Sequence, residues 1–193
     1  MASEKIRPVA SAVSDNDSPL EKGKKIMKDN AGNQGFSAGQ KVFHPFYGVG
    51  TVIKGDVEKK ILGKKTHFSV FRFQSKRLRL MIKTGNDTMI SQLFSKDELS
   101  RAMEVLRNGR KKKTVFPKRH SHRYNAIVGK LKSGSLIDLA EVIHALSEMR
   151  QTKKLSVKEQ GLFNSARQVF CETLSNVRDI PEDEAQEILS EII

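Results

Sequence analysis

The sequence predicts an α+β protein, with a small five-stranded β-barrel followed by an all-helical bundle. Three observations lead there. Residues 36–94 consist of short β-prone runs cut by Gly and Pro turns. At Ser95 the hydrophobic period changes to that of a helix and stays helical to the end. Residues 1–35 have no sustained period and mix charges with Ser, Gly, Asn and Asp, so they bury too little to offset the entropy of ordering. The expected organisation is a disordered arm over 1–35, a barrel over 36–94 and a helical domain over 95–193.

GQKVFHPFYGVGTVIKG reads as strand, turn, strand. Val42 and Phe43 precede Pro45, and Gly48 and Gly50 punctuate the return through Val49, Val52 and Ile53. A break is expected over DVEKKILGKK, with a turn at Gly63. THFSVFRF carries apolar residues on both faces of a strand, as in a closed or well-covered sheet. RLRLMIK alternates, with Leu78, Leu80 and Ile82 opposing Arg79, Met81 and Lys83. Gly85 to Asp87 form a turn, and TMISQLF closes the module.

Ser95 and Glu98 form a capping box that opens a helix through Leu99, Met103 and Leu106, ended by NGRKKK. A second helix bears Tyr124, Ile127, Val128 and Leu131 on one stripe and stops at Ser133-Gly134. Ser135 caps a third, with Leu136, Leu139, Ala140, Ile143 and Leu146 inward. Ser156 and Glu159 form a second capping box, starting a helix with Leu162, Phe163, Ala166, Phe170 and Leu174. Pro181 suits the first turn of a last helix carrying Ala185, Ile188, Leu189 and Ile192.

The chain sets 35 Lys and Arg against 22 Asp and Glu in 193 residues, a formal net charge of +13. Such a surface attracts polyanions, nucleic acid first among them. The densest basic stretch is FPKRHSHRYNAIVGKLKSG, from Phe116 to Gly134, and no acid follows until Asp138. Lys118 and Arg119 within it, and Arg107, Arg110, Lys111, Lys112 and Lys113 ahead of it, are candidate phosphate contacts, and Lys22, Lys24, Lys25 and Lys28 of the arm add weaker attraction. The single cysteine, Cys171, precludes an intrachain disulfide, which suits a reducing compartment, and its apolar setting predicts a buried thiol. No apolar run approaches the ~20 residues of a membrane span, and the N-terminus lacks a signal-peptide core. A soluble, cytoplasmic protein is expected. His120 and His122 diverge on a helix, with no Cys or acid nearby to complete a metal set. No phosphate-binding GxxxxGK[ST] loop occurs. Neither enzymatic activity nor a cofactor is expected.

The opening VFHPFYGVG and the segments KLKSGSLIDLAEVIHAL and LSVKEQGLFNSARQVF together resemble the CarD/CdnL family of bacterial transcription regulators. The likeness covers about Phe36 to Ile193 and runs without a gap from His120 to Arg167. It implies a Tudor-like barrel that docks on the β subunit of RNA polymerase. It implies a helical domain that binds promoter DNA at the upstream edge of the transcription bubble, so that the open complex is stabilised. A nucleoid-associated monomer with no membrane partner is implied as well.

The resemblance also assigns residues. Family members place a minor-groove Trp where this chain has His120, and the chain contains no Trp. His120 is therefore a wedge candidate, and Phe116, four residues earlier, is a second. Arg123 matches a basic family position, while His122 replaces an Arg and Gln160 replaces a Lys. Lys118, Arg119, His120, His122 and Arg123 are expected to face outward toward DNA, joined by Lys158, Gln160 and Arg167 of the later helix. For polymerase binding the family uses two Arg residues. One falls among Glu58, Lys59 and Lys60; the other falls on Met81, with Arg79 and Lys83 flanking it on the same strand face. Two other functions remain open: a polymerase-independent architectural DNA-binding protein, and a polymerase-binding adaptor with a weakened DNA contact.

Overall fold

Strand β1, Lys41–His44, hands the chain to β2, Gly48–Ile61, through the turn His44-Pro45-Phe46-Tyr47. His44 closes this turn, its Nδ1 accepting the N–H groups of Phe46 at 3.1 Å and Tyr47 at 3.3 Å. Its ring stacks on Tyr47. Burial holds the imidazole down at about 4, so it stays neutral and keeps Nδ1 as an acceptor at physiological pH. The computed structural model that gives this geometry describes residues 35–85, 89–109, 116–152 and 154–193. The expected arm up to residue 34 with its four lysines, Asn86 and Asp87 of the predicted turn, and Arg110, Lys111, Lys112 and Lys113 lie outside the described residues.

Strands β3, Lys64–Phe73, β4, Leu78–Lys83, and β5, Ser91–Gln92, complete an antiparallel sheet in the order β4-β3-β2-β1-β5. The sheet is open, which corrects the expected closed barrel. Closure would require the last strand to pair with β4, but β5 is two residues long and pairs with β1 through Val42–Gln92 and Phe43–Ser91. The expected break over DVEKKILGKK is also absent. Strand β2 continues through it, paired from Val57–Phe68 to Ile61–Lys64, so the two strands project as a ribbon that turns at Leu62-Gly63. Register shifts after Val52 and Lys54 bend β2 where this ribbon leaves the sheet. Phe36, Val42, Val52, Phe71, Phe73 and Ile90 fill the sheet's own small core.

Helices α1, Lys96–Asn108, α2, His120–Leu131, α3, Leu136–Thr152, α4, Val157–Arg178, and α5, Glu182–Ser190, form the bundle. Both predicted capping boxes are made, at Ser95/Glu98 and at Ser156/Glu159. Ser135 accepts the N–H of Asp138 at the start of α3. Pro181 is the N-cap of α5, one position ahead of its expected place in the first turn. The apolar stripes predicted for α1, α3 and α4 meet in one core. On α2, Ile127 and Leu131 join that core, whereas Tyr124 and Val128 of the predicted stripe are half-buried and not part of it.

The sheet does not stand apart from the bundle. Phe43 of β1 is 1% exposed within the helical core, edge-on to the ring of Phe94 at 4.7 Å. The Glu172 carboxylate of α4 accepts the N–H of Val49 at 3.4 Å, and Lys76 donates to Gln168 at 2.7 Å. Burial raises the Glu172 carboxyl above the ordinary range. Residues 35–193 accordingly gather into one compact unit. Gly48 makes the contact possible, because its φ is +79° and a Cβ there would collide with the Glu172 carboxylate. Gly48→Ala is expected to destabilise the protein by at least about 1–2 kcal/mol through backbone strain alone. A urea titration that finds the variant as stable as the parent would show this joint to be slack.

Candidate nucleic-acid interface

The N-termini of α2 and α4 meet, and an ion pair ties them. Arg123, in the first turn of α2, is 1% exposed. Its Nε donates to Glu159 Oε1 at 2.6 Å, and its Nη1 donates to the Lys118 carbonyl at 2.9 Å and the Pro117 carbonyl at 3.4 Å. The same guanidinium reaches His120 Nδ1 at 2.8 Å through Nη2. Guanidinium can only donate, so Nδ1 is the acceptor and the neutral ring carries its proton on Nε2. Glu159 meanwhile completes its own capping box. Its Oε2 receives the Ser156 N–H at 2.9 Å and the Ser156 hydroxyl at 2.8 Å, and lies 3.5 Å from His120 Nδ1. Burial alone would raise the Glu159 carboxyl. The hydrogen bonds from Arg123 and Ser156, with the Arg123 charge, outweigh it and bring the group down to about 2.

Arg123 was expected to face outward and does not. With its charge matched by Glu159 and its donors directed at loop carbonyls, it holds the segment 117–120 in place. Its neighbours on that segment remain exposed: Lys118, Arg119, His120 and His122 all present their side chains to solvent. Helix α2 has no acidic residue in its first turn and no side-chain cap. Lys158, exposed at the start of α4, holds its ammonium 5.9 Å from the centre of the Tyr124 ring, so a fifth cationic or titratable group joins the cluster across the helix gap. Phe116, the alternative wedge, is half-buried against the bundle core and anchors the segment.

Of the other two residues expected here, Arg167 is set apart from this cluster. Gln160 donates to Asn164 at 2.9 Å along its own helix. Arg167 lies ten positions beyond Val157, about 15 Å along α4 at 1.5 Å per residue. There it sits 5.7 Å from the Phe163 ring and donates to Ser190 at 3.4 Å. Arg150 of α3 approaches the same ring at 5.9 Å; it is an exposed cation that the sequence reading missed. Helix α5 opens with Glu182, Asp183 and Glu184, and the Glu182 carbonyl lies 3.6 Å from the Cys171 thiol of α4. Cys171 is buried as expected, its thiol pushed up to about 11 by burial and then by Glu182 and Glu172.

The second predicted surface lies on the sheet. Along β4, Leu78, Leu80 and Ile82 pack inward while Arg79, Met81 and Lys83 are exposed. Strand β4 is the sheet's edge, so its outer N–H and C=O groups have no strand partner among the described residues. Lys59 and Lys60 are exposed on the ribbon, opposite Thr66 and Lys65. Register puts Lys83 opposite Phe68, which itself faces Val57, so Lys83 and the ribbon lysines share one end of the sheet and Arg79 lies toward the other.

Among the described residues, an antiparallel sheet is joined to a bundle of five helices, with exposed cations where two of them begin. Residues 101–190 match the family model described as the CarD C-terminal domain. The chain is also 25% identical over 149 residues to a Bacillus subtilis (strain 168) protein described as "Putative transcription factor YdeB", across 76% of this chain and 95% of that protein. Both similarities support a member of the CarD/CdnL family, and the matched CarD domain is the helical part, residues 101–190. No helix among the described residues is long and apolar enough to cross a membrane.

Proposed function

We propose that this protein regulates transcription by holding RNA polymerase through residues 36–94 and promoter DNA through residues 95–193, stabilising the open complex. The observation that carries the reading is the cluster at the α2 and α4 N-termini. Lys118, Arg119, His120, His122 and Lys158 are exposed together, and the carboxylate beneath them, Glu159, is buried and paired with Arg123. Such a surface binds phosphates with little base preference. On the sheet, the free edge of β4 suits strand addition by the polymerase β subunit, with Arg79, Met81 and Lys83 contributing side-chain contacts and Lys59 and Lys60 extending them. Two modest contacts on one assembly reinforce each other through effective concentration. The sheet and bundle share core residues, so the two contacts are presented at a fixed separation.

Reversing both charges, Lys118→Glu with Arg119→Glu, is expected to shorten open-complex lifetime. It should also lower the slope of log affinity against log salt by about 2, since each phosphate contact contributes about 0.9. An unchanged lifetime would favour the adaptor reading. Failure to retain polymerase in a pulldown, with DNA binding intact, would favour the architectural one.

A further inference from the structure

A groove of about 270 Å³ lies between α4 and α5. Arg167 and Gln168 line it from α4, and Gln186 and Ser190 from α5. Cys171 and Leu189, both buried, supply its apolar surface. Two contacts cross it. Arg167 Nη2 donates to the Ser190 hydroxyl at 3.4 Å, and the Cys171 thiol donates to the Glu182 carbonyl at 3.6 Å. Arg167 and Cys171 are four positions apart on α4, so the crossings stand about 6 Å apart along that helix.

The groove holds one charge of each sign. Arg167 Nε is buried and finds no hydrogen-bond partner among the described residues, and the guanidinium's one hydrogen bond to them is the long one to Ser190. Most of its donors are therefore left for water or a ligand. Glu182 also lines the groove and forms no ion pair with Arg167 or with any other described residue. Both charges act on the same thiol: burial first and Glu182 next raise Cys171, while Arg167 works against them.

The amides give each wall a character. Gln168 has its carbonyl oxygen taken by the Lys76 ammonium at 2.7 Å, and Asn164, a further lining residue, has its own taken by Gln160 at 2.9 Å. Both keep their NH2 groups free to donate. The α4 wall is thus rich in donors around Arg167, whereas the start of α5 offers the Glu182 carboxylate.

A bare anion would satisfy Arg167 and then meet the Glu182 carboxylate. A simple amine would meet the opposite conflict. A short chain carrying both charges meets neither. The volume lies just under the ~300–1,000 Å³ of ordinary small-molecule sites, so the ligand is small. We propose that the α4–α5 groove binds a small zwitterion of the amino-acid class, with its carboxylate on Arg167, Asn164 and Gln168, its ammonium on Glu182 and its methylenes against Leu189. Neither the DNA contact nor the polymerase contact proposed above is needed for it.

The test titrates the full chain calorimetrically with δ-aminovalerate, valerate and pentylamine, three probes of like length that carry both charges, the negative one and the positive one. The wild type should bind δ-aminovalerate about tenfold more tightly than either of the others. Arg167→Gln should weaken δ-aminovalerate about tenfold, the usual effect of losing a charged hydrogen bond. Glu182→Gln changes an exposed side chain and so leaves the fold intact. It should bind δ-aminovalerate and valerate equally. Equal affinity of the wild type for all three probes, or no heat with δ-aminovalerate, would overturn the proposal. Wild-type binding by both variants would place the probe elsewhere and overturn it too. So would an Arg167→Gln protein that loses DNA affinity while keeping δ-aminovalerate, since that assigns the guanidinium to phosphates.

Discussion

Arg123→Leu is expected to destabilise the protein by about 3–5 kcal/mol, because it leaves the Glu159 carboxylate buried without its partner charge. The pair is inaccessible on both sides, with side-chain exposures of 2% for Arg123 and 0% for Glu159, so solvent screens it little. Urea denaturation reads the loss. The same substitution frees the Pro117 and Lys118 carbonyls and the His120 ring, so open-complex lifetime should fall even where the variant is still folded. Arg123→Lys should recover the charge and only part of the stability, since an ammonium cannot reproduce the guanidinium fork that reaches Glu159, Lys118 and His120 together. Equal stability of Arg123→Leu and wild type would mean that this ion pair does not hold α2 to α4.

The pair also sets an acid limit. Glu159 titrates at about 2 in the folded protein, below its ordinary 4.5. The unfolded chain therefore takes up this proton first. The contribution is complete above about pH 4.5 and is lost as pH falls from there toward 2. Glu159→Gln should lose stability at neutral pH and flatten the acid limb over that window.

Phe43→Ala is expected to cost about 3–5 kcal/mol, the usual range for truncating a fully buried aromatic side chain. Phe43 is a strand residue, yet its ring lies in the helical core and against Phe94. The cavity would open where sheet and bundle share their packing. Stability should therefore fall by urea denaturation. The two proposed contacts should also lose their fixed spacing, so that open-complex stabilisation drops more than isolated DNA binding does. Proportional loss of both would indicate general unfolding and not loosening at the joint.

Local chemistry was readable in the chain. Ser95 and Ser156 announce helix starts because a capping box is made within four residues, and both boxes form. The stripes of α1, α3 and α4 were legible for the same reason: a helix's inner face is written in its own period. The barrel misled because closure depends on which edge the last strand meets. TMISQLF has strand character, but among its described residues only Ser91 and Gln92 pair, and they pair with β1. The ribbon was missed because Glu58, Lys59 and Lys60 look like a charged loop, although a two-stranded ribbon exposed to water on both faces tolerates such residues.

The candidate site divides the same way. That cations would gather from Lys118 to His122 was visible in composition. That Arg123 would turn inward was not, since its partner stands 36 positions away and already had a local role as the capping acid of α4. The sequence by itself determined where helices and strands begin, where the apolar faces run and where positive charge is concentrated, since these depend on neighbours a few residues apart. Tertiary structure alone decided that the sheet stays open, that Phe43 serves the helical core, and that Glu159 draws Arg123 inside while leaving His120 at the surface. Those outcomes depend on contacts between residues far apart in the chain, and a buried charge or ring goes wherever the fold supplies a partner.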